Sequence, residues 1–100
     1  MNKENKKSVD ILHKDNGKKG AFYIMQDNTI LAEMTYVWVG IERIIIDHTE
    51  VSEILKGKSV GKQILTKAVE FAREKQIKIN PLCRFAKNVF DKVKEFNDVL

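Results

Sequence analysis

Three short stretches of this chain hold the side chains best suited to chemistry. Glu53 to Leu65, EILKGKSVGKQIL, sets Gly57 and Gly61 among Lys56, Lys58 and Lys62. His48 stands between Asp47 and Glu50 in IIIDHTEV, and Cys83 follows INPL with Arg84 and Lys87 beyond it. Glycine at a helix start lets backbone N–H groups approach an anion without a Cβ in the way, and the helix dipole favours negative charge there. The lysines add mobile positive charge. The spacing excludes two phosphate-binding motifs. A Walker loop needs four residues between its first glycine and Gly-Lys, then Ser or Thr; here three separate Gly57 from Gly61, and Gln63 follows Lys62. The dinucleotide pattern G-x-G-x-x-G is absent. Local spacing leaves an anion-binding turn and a plain capped helix start both open.

The elements that position these residues are legible as hydrophobic periods. SVDILH (8–13) reads as a short strand, DNGKKG as a turn and AFYIMQ (21–26) as a second strand. A turn at Asp27–Asn28 leads into TILAEMTYVWV (29–39), where Ile30, Ala32, Met34, Tyr36 and Trp38 share one apolar face of a half-buried strand. Gly40 breaks it. ERIIIDHTEV (42–51) reads as a fourth strand, its continuous apolar centre suited to a sheet covered on both sides. The period then changes. Val60, Ile64, Leu65, Ala68, Val69 and Ala72 predict an amphipathic helix over 59–75. IKINPL is a short strand ended by the only proline, and Leu82, Ala86, Val89, Phe90 and Val93 predict a second helix over 83–94. The fold class is therefore α/β (α+β): a mixed sheet of about five strands in the order β-β-β-β-α-β-α. The first four strands are antiparallel, because their connections are too short for crossovers, and the fifth is parallel to the fourth. Ligands of such a crossover sit at the carboxyl ends of the strands and the N-terminus of the crossover helix. GKSVGK lies there.

One hundred residues make one domain, with residues 1–7 (MNKENKK) a loose arm and 8–100 the folded unit. No apolar run has the length of a membrane span, and the basic N-terminus has no apolar stretch behind it to make a signal peptide. One cysteine forms no internal disulfide, which fits a reducing, cytoplasmic compartment. No Cys/His cluster has metal-ligand spacing. The formal charge is +4, and residues 56–78 hold seven basic side chains against two acidic ones, a local excess that favours an anionic partner.

EMTYVWVGIERIIIDHTEV, LKGKSVGKQIL and KINPLCRFAK resemble, in order and spacing, the minimal branch of the GCN5-related N-acetyltransferases, chains of about one hundred residues; the resemblance runs from Val9 to Leu100. It implies that KGKSVG is the pyrophosphate loop for coenzyme A, with Lys56, Gly57, Lys58, Ser59, Val60, Gly61 and Lys62 around the phosphates. It implies that Ile46, His48, Thr49 and Val51 lie along the pantetheine arm, the strand edge pairing with it as in strand addition. Cys83, Phe85 and Lys87 would meet the cofactor from the last helix. Lys56 stands where Arg or Gln is usual, and Ser59 stands where the motif's first glycine is usual. A positive φ at Ser59 would strain it by about 1 kcal/mol or more.

The activity so implied is acetyl-CoA-dependent transfer of an acetyl group to an amine, with catalytic candidates Cys83 and His48. A helix N-terminus favours the thiolate of a cysteine placed there, so Cys83 is read as an acetylated nucleophile or as lining of the acetyl pocket; a small structural thiol is the alternative. His48 is read as a general base, the alternative being a histidine hydrogen-bonded to a loop. Asp47 and Glu50 flank it, Glu33 lies on the less apolar face of its strand, and His13 reads as an ordinary strand residue. A minimal chain suits an open acceptor site, for a protein or a polyamine. Two other functions fit the residues: a coenzyme A-binding protein without turnover, and a small basic nucleic-acid-binding domain. The strands show no row of exposed aromatics interleaved with basic residues, which disfavours the last.

Overall fold

Alternation in the first half and a 3.6-residue period in the second separate this chain into a sheet and the helices that cover it. The computed structural model describes residues 10–100. In them β1 (Leu12–Asp15), β2 (Lys19–Gln26), β3 (Thr29–Val39) and β4 (Arg43–Val51) precede α1 (Val60–Lys75), β5 (Lys78–Pro81) and α2 (Arg84–Lys92), with 3₁₀ turns at Glu53–Leu55 and Lys94–Val99. The strands form one sheet in the order β1-β2-β3-β4-β5. The first four are antiparallel and β5 is parallel to β4, as the connection lengths require. Asp27 and Asn28 both take positive φ, 52° and 64°, which is the two-residue turn whose twist matches a β-hairpin.

The first strand lies later than its alternation suggests. SVDILH begins in residues outside the described ones, as does the 1–7 arm, and the observed strand is Leu12–Asp15. Asp15 pairs with Gly20, so the turn shrinks to 16–18, where the Asn16 Oδ1 accepts the N–H groups of Lys18 and Lys19 at 2.9 Å each. The last helix is shorter than expected. It stops at Lys92, and a 3₁₀ turn then buries Phe96 and Val99.

Ala32, Met34 and Tyr36 of β3, Ile44 and Ile46 of β4, and Ile79 of β5 share one face of the sheet with Phe22 and Ile24. α1 covers that face with Ile64, Leu65, Ala68, Val69 and Ala72, and α2 adds Ala86 and Phe90 to the same core. Both helices therefore sit on one side. The expectation of a sheet covered on both faces fails at Ile45, which is half-exposed on the open side opposite Asn80. Ile30 and Leu82, read as core positions, are exposed; Ile30 lies beside the irregularity where the β2–β3 register shifts. Gln76 ends α1 with φ 60°, and the Ile77 N–H reaches back to the Ala72 carbonyl at 2.9 Å, a left-handed cap that turns the chain directly into β5. Among the described residues no helix is long and apolar enough to cross a membrane.

Candidate active site

The pairing of β4 with β5 runs from Arg43↔Lys78 only as far as Ile46↔Pro81. Proline has no N–H to carry it further, and the N–H groups of Leu82 and Cys83 both fold back onto the Ile46 carbonyl at 3.0 Å. Among the described residues, β4 from Asp47 to Val51 is paired to β3 alone. Its other edge is open, and it leads into the glycine stretch. There Gly57 takes φ 83° and Ser59 takes φ 58°. Positive φ on either side of Lys58 makes this a tight left-handed turn, in which the Lys58 N–H donates to the Leu55 carbonyl at 3.3 Å. Gln63 holds the turn: its N–H donates to the Ser59 carbonyl at 3.0 Å and its Nε2 to the Lys58 carbonyl at 3.1 Å. Among the described residues the N–H groups of Val60, Gly61 and Lys62 have no backbone acceptor, as the first turn of a helix dictates.

These groups border a cavity of about 490 Å³. Thr49 and Val51 line it from β4, Lys56, Gly57, Ser59, Val60, Gly61 and Lys62 from the turn and α1, and Phe85 from α2. Leu55 and Val89 complete it; neither was read from sequence as a site residue, Val89 being taken only as an apolar position of the last helix, although it lies one helical turn after Phe85. Lys58, Cys83 and Lys87 do not border the cavity. Lys58 is exposed within the turn, Lys87 is exposed on the first turn of α2, and Ile46 contributes the carbonyl already bonded to Leu82 and Cys83.

His48 is not in this cavity, and a bulge explains why. Thr35 pairs with His48 while Tyr36 pairs with Ile46, so Asp47 has no partner. The extra residue reverses the alternation beyond it. Thr49 and Val51, opposite Met34 and Ala32, point to the helix side, whereas His48 and Glu50, opposite Thr35 and Glu33, point to the open side. The Thr35 hydroxyl donates to Asp47 Oδ1 at 2.7 Å and fixes the bulge. On the open face a second concavity of about 580 Å³ is bordered by Glu33, Thr35 and Asp47 on one side and by Lys14 and Lys19 on the other. Glu33 and Glu50 are directly opposed across the strands, an arrangement that is unfavourable unless a cation shares it. His48 Nε2 lies 3.6 Å from Glu50 Oε1.

Cys83 is the N-cap of α2. Its sulfur accepts the Ala86 N–H at 3.4 Å and lies 3.2 Å from Thr49 Oγ1. The thiol thus sits behind the cavity, against the one threonine of β4 that faces into it.

His13 is more than a plain strand residue. The Tyr36 hydroxyl gives its proton to Asp15 Oδ2 at 2.5 Å, so His13 Nε2–H donates to Tyr36 Oη, at 2.6 Å. Trp38 Nε1 also donates to Asp15, at 2.8 Å. The imidazole stacks on Phe22 and meets Phe71 edge-on. Burial lowers the His13 pKa below its ordinary value, with Asp15 opposing and Lys75 adding to the effect. Burial alone would raise Asp15, but the bonds from Tyr36, Gly17 and Trp38 outweigh it and hold the carboxyl low. Burial and the Asp15 bond push the Tyr36 phenol far up. The cluster ties β1 to β3 and α1, away from the cavity.

An unpaired strand edge running into a helix N-terminus with free N–H groups is the mark of an α/β protein that takes an extended anionic ligand. The model of the GCN5-related N-acetyl-transferases matches residues 21–99, and the chain belongs to that family, whose members bind acetyl-CoA. A GCN5-like protein from Staphylococcus aureus, solved by NMR, is 43% identical over 91% of this chain and 86% of its own, with a TM-score of 0.71. Ribosomal-protein-alanine N-acetyltransferase from Brucella melitensis biovar Abortus 2308 superposes with a TM-score of 0.61 at 14% identity, over 78% of this chain and 62% of its own. A GNAT family acetyltransferase from Elizabethkingia anophelis with acetyl-CoA bound gives 0.53 at 19% identity, over 62% and 41%. The last two are likenesses of fold. A search of curated proteins gives no significant match.

Proposed function

We propose that this protein is an acetyl-CoA-dependent N-acetyltransferase acting on an exposed amine of a protein or a polyamine. One observation carries the reading: the open β4 edge, Asp47 to Val51, leads into a left-handed turn and a helix start whose N–H groups have no backbone acceptor among the described residues. The β4 backbone would take the pantetheine amides by strand addition. The N–H groups of Val60, Gly61 and Lys62 would take the pyrophosphate, with Lys56 and Lys62 adding charge. Bound acetyl-CoA supplies the activated acyl thioester. Thr49 stands where β4 parts from β5, at the end of the cleft away from the phosphate turn, with Cys83 behind it. The acceptor comes from the open face, where Glu33, Asp47 and Glu50 attract a cationic amine and His48 takes up its proton.

Calorimetric titration with coenzyme A, with ATP as control, tests the first half; mass spectrometry of peptide and polyamine panels after incubation with acetyl-CoA tests the second. Binding specific for coenzyme A and a gain of one acetyl mass on an amine support the reading. Equal or absent binding of both nucleotides overturns it. Binding without transfer to any amine selects a coenzyme A-binding protein without turnover, the reading favoured by Ser59, whose Cβ stands in the turn where glycine would leave the phosphate more room.

A further inference from the structure

Both helices lie on one side of the sheet, so among the described residues its other face has no covering element. The register orders that face into rows. Lys14 pairs with Ala21, Ala21 with Thr35 and Thr35 with His48, so one line of side chains crosses four strands. Its two middle members are small, and Ala21 and Thr35 floor the concavity of about 580 Å³ on this face. Lys14 and Lys19 border it at the β1–β2 end, Glu33 and Asp47 at the β3–β4 end. Among the described residues none of these four charges takes part in an ion pair. Lys14 Nζ lies instead 5.1 Å from the centre of the Tyr23 ring, and Asp47 accepts the Thr35 hydroxyl. A trough with cations at one end and carboxylates at the other complements a ligand of the reverse polarity. Neighbouring strands are about 4.8 Å apart, which puts β4 about 10 Å from β2 and about 14 Å from β1. An extended peptide advances about 3.3 Å per residue and covers that span in about three to four residues. We propose that the trough docks a peptide whose acceptor amine lies between Glu33 and Asp47 and whose Asp or Glu side chain, about three to four residues away, meets Lys14 and Lys19. A polyamine carries positive charge alone and sets one of its own cations against the lysines. The proposal narrows the acceptor of the transferase reading above and rests on it for the fate of the amine; docking of the peptide does not depend on transfer.

Calorimetry on the full chain without cofactor compares three probes: a short peptide with a free N-terminal amine and glutamate at its fourth position, the same peptide with glutamine there, and spermidine. At low salt the glutamate peptide binds about three- to tenfold tighter than either of the others. The preference shrinks as salt is raised, and acetylating the peptide's amine weakens its binding. Lys14 and Lys19 are exposed, so their substitution leaves the fold intact. Lys14→Gln with Lys19→Gln removes the preference. Lys14→Glu with Lys19→Glu turns it toward a peptide with lysine at the fourth position, which a loss of packing does not produce. Equal binding of the glutamate and glutamine peptides, binding of neither, tighter binding of spermidine, or a preference that survives both glutamine substitutions overturns the proposal. Mass spectrometry after addition of acetyl-CoA reads the transferase separately. A glutamate preference without acetylation supports the trough and sinks the transfer; acetylation without that preference supports the transfer and overturns the trough.

Discussion

Phe85 lies against Gly61 so closely that a Cβ at residue 61 would meet its ring, with Cε2 at 2.8 Å and Cε1 at 3.0 Å. Gly61 is helical, so the demand is for space rather than for an unusual φ. The absence of a side chain there seats the first turn of α2 on the first turn of α1, and both line the cleft. Gly61→Ala gains about 1 kcal/mol of helix propensity and loses about 1–3 kcal/mol to overpacking. The expected result is a net loss of stability in urea denaturation and at least threefold weaker coenzyme A binding, because the displaced ring moves into the cleft. Phe85→Leu relieves the clash, so the double variant should be more stable than the sum of its parts. Simple additivity would show that the two residues do not limit each other.

Ser59 makes a complementary prediction. It takes φ 58° as the residue before α1, and its hydroxyl makes no capping bond. A β-carbon in the left-handed region costs about 1–2 kcal/mol, and glycine is free of that cost. Ser59→Gly should therefore raise stability by about 1 kcal/mol, or about 4–8 °C in Tm for a domain of this size. It should also leave coenzyme A affinity equal or better. A loss of affinity in a more stable variant would mean that the hydroxyl itself holds phosphate.

Most of this fold was legible from period alone. The alternation of Ala32, Met34 and Tyr36 and the helical spacing from Val60 to Ala72 leave little freedom, because each builds one continuous apolar face. What period does not reveal is a change of phase. The Asp47 bulge is invisible in IIIDHTEV: strict alternation through Ile44 and Ile46 would put His48 on the cavity side of the sheet, whereas it lies on the open side. The Tyr36 stripe was legible as packing, but its hydroxyl bond to Asp15 joins residues 21 positions apart, and no local pattern carries that. Gly61 could be recognised as special, though its reason, Phe85, is a contact between helices.

The Asp15–Tyr36–His13 cluster predicts how stability follows pH. Burial lowers the His13 pKa from 6.5, so the unfolded chain binds the proton more readily and stability falls as pH drops below that value. Asp15 is held below 3.8, so the stability that its hydrogen bonds give is present above that pH and is lost as pH falls through the lowered value. Both steps have the same sign. His13 is partly exposed, so solvent screening keeps its step small. Thermal melts from pH 8 to pH 3 should show Tm falling in two stages, and His13→Gln should remove the upper one. A Tm that is flat between pH 7 and pH 5 in the wild type would refute this assignment. Tyr36→Phe, which leaves Asp15 and His13 without their shared partner, should cost about 1–3 kcal/mol at neutral pH.

His48 provides the sharpest separation between binding and chemistry. It sits one residue before Thr49, yet the bulge sends the two side chains to opposite faces of β4. A residue on the open face cannot touch a ligand lying along the helix side except through the strand itself, and its own contact is with Glu50. His48→Ala should therefore leave the coenzyme A dissociation constant within about twofold of wild type, since an exposed substitution away from the cavity changes little. If the open face receives the amine, the same variant should lower acetyl transfer by about tenfold or more, as loss of a general base does. The deficit should shrink at alkaline pH, where the amine arrives already deprotonated. Calorimetry and a discontinuous acetylation assay on one preparation decide it. Weaker coenzyme A binding in His48→Ala would place the imidazole in the cleft and reverse the facing of β4. Unchanged binding with unchanged transfer would leave the open face without a proton acceptor at His48 and turn attention to Glu33, which shares that face and borders its concavity.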